Sequence, residues 1–195
     1  VAGLRLLRRF PVIRALLPAT GGFLLANAAL SALLVPLGVR HLGGTTATGL
    51  VLSALGAGFL AGAPLLRTLV DRVAVRPLLS GSQAATAAGL AVLVNTRSVP
   101  VAIAAAGAVG VSGSLVLGVP PAVVQRAVPG PALGRIMAAF GIVEAAVTLA
   151  GAVGGPFLAQ AAGLDATVNL ATGVALAGAA VTAWTVPGGA AGPRR

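Results

Sequence analysis

The sequence predicts an all-α membrane protein of six transmembrane helices, and three observations predict it. Hydrophobic residues make up 57% of the chain and charged residues only 8%. The mean hydropathy of +1.03 lies well above that of a soluble domain of this length. The apolar residues fall into six stretches, each able to cross a hydrocarbon core of about 30 Å at a helical rise of about 1.5 Å per residue. The arginines alternate from one end of these stretches to the other, span by span.

The elements follow in order. Residues 1–14 carry Arg5, Arg8, Arg9 and Arg14 and form a basic cytoplasmic leading segment. They resemble the start of a signal peptide, but the apolar stretch behind them is about 20 residues long and lacks a cleavage context, so it reads as a retained helix. A six-helix transmembrane bundle over 15–186 is expected, with spans from Ala15 to Val35, Gly49 to Leu66, Pro77 to Val94, Val101 to Val119, Ile136 to Leu158 and Ala166 to Val186. Internal glycines and prolines would weaken such helices in water and are tolerated in a bilayer. Turn formers mark the connectors: Gly43 and Gly44, Asn95 to Pro100, Pro129 to Pro131, and Gly163 with Asp165. Residues 187–195, rich in glycine and proline and ending in Arg194 and Arg195, read as a disordered cytoplasmic tail.

Positive residues are retained on the cytoplasmic side of a membrane, so the arginines orient the chain. Arg5, Arg8, Arg9, Arg14, Arg67, Arg72, Arg76, Arg126, Arg135, Arg194 and Arg195 fall on one side, and Arg40 and Arg97 on the other. An odd number of spans would scramble this segregation. A multi-pass protein of the cell (plasma) membrane with both termini cytoplasmic is expected, with the lipid bilayer as its main surrounding. All thirteen basic residues are arginine, and alanine and glycine abound, which suggests GC-rich coding and a bacterial source of the actinobacterial kind.

Composition also excludes classes. A net charge of +10 can signal disorder or nucleic-acid binding, but disorder requires low hydrophobicity and nucleic-acid binders cluster basic residues on a polar surface. No nucleic-acid partner is expected. With no cysteine, one histidine and three acids, the chain cannot build an ordinary multi-ligand metal centre, and no metal or cofactor is expected.

Few residues carry chemistry. Glu144 lies eight residues into the fifth span, near the bilayer midplane, and ionisable groups at that depth are costly. At helical spacing its face carries Gly141, Thr148, Gly151 and Gly155, and the opposite face Ile142, Ala146, Leu149 and Val153. It should therefore face protein or a wet cavity. A carboxyl withdrawn from water holds a proton more readily, which suits proton coupling or cation binding; the bland alternative is a protonated glutamate serving as interhelical packing. Asn27, with Thr20 and Ser31 on its face, offers an amide to a substrate or serves as interhelical glue, the commoner role. Gln83 reads as a bond to a neighbouring helix. The pairs Gly58 with Gly62 and Gly151 with Gly155 have the spacing of close helix contacts. Asp71, flanked by Arg67, Arg72 and Arg76, could pair with arginines or face the positive start of a neighbouring helix such as the fifth span. Alternatively it only relieves repulsion within a basic loop.

Two segments resemble a known family. Arg67-Thr-Leu-Val-Asp71-Arg72-Val-Ala-Val-Arg76-Pro77 is similar to the cytoplasmic loop signature of the major facilitator superfamily, with Arg67 where a glycine is expected. Gln125-Arg126-Ala-Val-Pro129, followed by Leu133-Gly134-Arg135-Ile136-Met137-Ala138, resembles the loop before the eleventh helix in its macrolide-efflux and enterobactin-exporter-like branch. The resemblance implies one half of a major facilitator fold, the carboxy-terminal six helices. It implies a secondary active transporter, a proton-coupled exporter of small amphiphilic molecules. Its partner would be a missing amino-terminal six-helix half or a second copy. Asp71, Arg72 and Arg76 would form a cytoplasmic loop latch holding one state of the cycle, and Glu144 and Asn27 would serve the substrate or proton coupling.

Two rivals differ in class. Gly110-Val-Ser112-Gly113 in the fourth span matches the Gly-x-Ser-Gly pattern of rhomboid intramembrane proteases, but that chemistry needs a histidine on the sixth span, and the single histidine, His41, sits in the first connector, where a solvated role is expected. No enzyme activity is expected. A six-helix structural or channel-like protein is the alternative, without a selectivity-filter pattern to favour it.

Overall fold

Six helices follow one another with almost no chain between them in the computed structural model, which describes residues 11–128 and 130–186. They are α1 (Pro11–Leu42), α2 (Thr45–Arg72), α3 (Val75–Asn95), α4 (Val99–Ala127), α5 (Gly130–Ala162) and α6 (Leu164–Thr185). All six are long and apolar enough to cross a membrane. Most of the leading segment, residues 1–10, and the tail 187–195 lie outside the described residues.

Each of the first five helices contains its expected span and runs past it at both ends, while α6 starts before its span and ends one residue short of Val186. The 33 residues of α5 rise about 50 Å, well beyond a hydrocarbon core of about 30 Å. Hydropathy marks only the apolar middle of a helix, whereas the backbone ladder continues through polar ends. Stretches read as connectors are therefore largely helical: only Val73 and Ala74 separate α2 from α3, and Pro100 sits in the first turn of α4, where a missing N–H costs nothing. Gly43 (φ 79°) and Gly163 (φ 90°) take left-handed backbone conformations that allow the chain to reverse at the α1–α2 and α5–α6 corners. Pro18, Pro36, Pro64 and Pro156 lie inside helices, as a membrane setting permits.

Packing follows a pattern that hydropathy alone does not disclose. The principal helix contacts are α2 with α4, α1 with α5, α3 with α4, α1 with α6, and α3 with α6. Exchanging α1 with α4, α2 with α5 and α3 with α6 leaves this set unchanged. The bundle is thus two helix triplets related by a pseudo-two-fold arrangement, and because each has an odd number of crossings the second runs inverted to the first. Equivalence reaches individual residues. A Cβ at Gly58 would fall on the Gly107 carbonyl and approach Gly110, and one at Gly62 would meet Val111 and Ser114. In the other triplet a Cβ at Gly151 would fall on the Leu25 carbonyl and approach Ala28, and one at Gly155 would meet Ala29. Both glycine pairs let backbones touch, as their spacing predicts.

Buried apolar residues form one cluster around Leu33, Leu37, Val51, Leu90, Leu93 and Val168, and another at the arginine-rich end around Leu16, Leu79, Val124, Ile136 and Phe140. By contrast α2 and α5 each bury one narrow stripe. Ile142, Leu149 and Phe157 on α5 are 70%, 65% and 68% exposed, which water would penalise and lipid or another apolar surface would not.

Candidate functional site

The buried stripe of α5 runs through Ile136, Phe140, Gly151 and Gly155. Glu144, one turn beyond Phe140, lies on that side of the helix and is half-buried. The expected face is divided: Gly151 and Gly155 press on α1, while Gly141 and Thr148 are exposed. Since Gly151 meets Leu25 and Ala28, and Gly155 meets Ala29, the two helices run parallel and Glu144 stands at the level of Pro18 to Gly21 on α1. Beside it, Gly21 and Gly22 border open space. Glu144 makes no hydrogen bond or ion pair with any described residue.

Asn27 lies elsewhere. On α1, Leu25, Ala28 and Ala29 face α5, and Asn27 points a quarter-turn or more away, into a cavity of about 110 Å³ among α1, α2, α3 and α4. Phe23, Phe59, Leu30 and Leu90 form much of its wall, with Asn27, Ser31 and Thr86 as its polar groups. Neither Asn27 nor Ser31 makes a hydrogen bond to a described residue. Thr86 shares one of 2.8 Å with Ser112 and is also within 2.9 Å of the Ser82 carbonyl. Thr20, expected beside Asn27, is buried and donates to the Leu16 carbonyl instead. Asn27 and Glu144 therefore occupy different sides of α1 and do not share this cavity.

At the arginine-rich end, Asp71 pairs with Arg126 of α4, and Arg126 also donates to the Val70 carbonyl at 3.2 Å. The partner is neither Arg72 nor Arg76, and the contact joins α2 to α4 rather than to the start of α5. Helix extension explains it: Asp71 lies in the last turn of α2, beside the last turn of its packing partner α4. Both side chains are largely exposed, and such pairs contribute about 0 to 1 kcal/mol. Asp71→Asn is accordingly expected to lower unfolding stability by less than about 1 kcal/mol, and less still in high salt, as a denaturation curve would read. A loss of several kcal/mol would mark this contact as desolvated and structural.

The opposite end carries polar contacts that spacing did not disclose. His41 is not solvated as expected; its side chain is 17% exposed because the end of α1 packs against the start of α6, and its Nε2 lies 3.3 Å from Asp165. Asn95 of α3 donates to Asn169 of α6 at 3.1 Å. Gln83 is fully buried on α3. Ser112 is also buried and sits between Thr86 and the carbonyls of its own helix, 2.9 Å from that of Ala108. Among the described residues no cluster of three metal-ligating side chains occurs.

Asn95 and Asn169 could have been found as amides at helix ends on the same side, but nothing local to Arg126 marked it as the partner of Asp71. No protein-family model matches the chain, and comparison with curated proteins gives no match either.

Proposed function

We propose that this chain is one half of a secondary active transporter, a carboxy-terminal six-helix bundle of the major facilitator type that exports small amphiphilic molecules against proton entry. The observation that carries the proposal is the inverted pairing of two helix triplets, the architecture on which alternating-access transporters are built. Glu144, half-buried in the middle of a span and without a hydrogen bond or ion pair among the described residues, supports it by supplying a group for coupling. The Asp71–Arg126 pair supplies a contact weak enough to break and reform at each cycle. Cytoplasmic termini are the orientation that the arginine placement supports.

A site walled by two bundles requires both of them. The open faces of α2 and α5 leave room for that second bundle, either an amino-terminal half or another copy. The test is drug accumulation in cells expressing this chain alone or with an upstream six-span partner. Accumulation should fall only when both are present. Export by the chain alone, with no self-association, would contradict a half-transporter.

A further inference from the structure

We infer that the cavity among α1, α2, α3 and α4 is a binding site for an uncharged, mainly apolar group bearing one hydrogen-bonding atom, such as a single aromatic ring with a hydroxyl. Its walls contain no ionisable side chain, so a charged ligand would lose its hydration there with nothing in exchange. Phe23 and Phe59 offer ring surfaces from two helices, and aromatic rings pack on one another in offset or edge-to-face arrangements. Asn27 can donate two hydrogen bonds and accept others, and none of this capacity is used by a described residue. Ser31, one turn further along α1, is exposed at the rim and equally unengaged. Amide and hydroxyl thus mark a path from the opening to the interior.

Size narrows the ligand. Apolar cavities near 150 Å³ accept benzene, so about 110 Å³ admits at most one ring, and that ring must extend into the open rim. Of the three polar groups, Thr86 on α3 is already engaged by Ser112 and the Ser82 carbonyl, which leaves Asn27 and Ser31 on α1 to receive the polar atom of an amphiphilic ring. This site rests on the transport proposal for its purpose, receiving the uncharged end of an exported amphiphile, whereas binding itself is read without transport.

The test uses the purified chain in nanodiscs, with fluorine NMR of 4-fluorophenol, 4-fluorotoluene and 4-fluorobenzoate, and protein-free nanodiscs as the partition control. A saturable component is expected for 4-fluorophenol, a weaker one for 4-fluorotoluene and none for 4-fluorobenzoate. Asn27→Leu keeps the side-chain size and removes the amide, and loss of one hydrogen bond should weaken 4-fluorophenol about fivefold. Ser31→Ala, at the exposed rim, should weaken it by a smaller factor and supplies the same test should Asn27→Leu not assemble. Absence of saturable binding, equal binding of the benzoate, or unchanged affinity in the variants would overturn the assignment. Because the transport proposal is tested by accumulation in cells, the two can fail separately.

Discussion

In a complete transporter containing this half, Glu144→Gln is expected to abolish pH-driven export while leaving membrane accumulation intact. The chain has three acids, and two of them, Asp71 and Asp165, lie in terminal turns of α2 and α6. Glu144 alone is deep within a helix. Glutamine preserves its shape and hydrogen-bonding capacity but cannot gain or lose a proton, so the substitution separates coupling from packing. Export by vesicles with an imposed pH gradient should drop to the level of vesicles without protein. Normal export across the pH range would assign Glu144 to packing. If the glutamine variant does not accumulate, Glu144→Asp carries the test, retaining export at a reduced rate because the carboxyl persists.

The glycine contacts predict the largest effect on stability. Gly58→Leu and Gly151→Leu each place a side chain against backbone of a neighbouring helix, at Gly107 and Leu25 respectively. Backbone cannot move aside as a flexible side chain can, so each substitution should cost about 3 kcal/mol, the upper end of ordinary overpacking. Gly56→Leu and Gly154→Leu are the controls, because a Cβ at either meets nothing within 4 Å. They should change stability by less than about 0.5 kcal/mol. Unfolding by detergent titration would measure all four. Equal losses at Gly58 and Gly151 would express the equivalence of the two triplets, and a tolerated leucine at either would contradict the close contact.

The six helices were legible because lipid imposes length and hydropathy on every span. Their ends were not, since nothing in the apolar content of 136–158 shows that α5 begins at Gly130. Gly58, Gly62, Gly151 and Gly155 were legible as contacts because a missing side chain has few other uses at that spacing. The choice of neighbour was hidden: an α1 that meets lipid and protein with equally apolar faces leaves little periodicity to orient it. For that reason Asn27 and Glu144 both read as interior groups, although they occupy different sides of α1. Arg126 was counted for topology and missed as the partner of Asp71, since tertiary pairing between the ends of α2 and α4 depends on how the helices pack. His41 was misplaced for a related reason, as α1 extends to Leu42 and carries the ring against α6.

Proton-coupled export by two bundles, as opposed to passive conduction by one, is tested most directly by proton flux in vesicles. An amphiphilic substrate is added to proteoliposomes holding an imposed pH gradient, either with this chain alone or with the chain and its six-span partner. Substrate-dependent collapse of the gradient is predicted only when both bundles are present. Collapse by this chain alone without substrate would contradict the transporter and favour a channel.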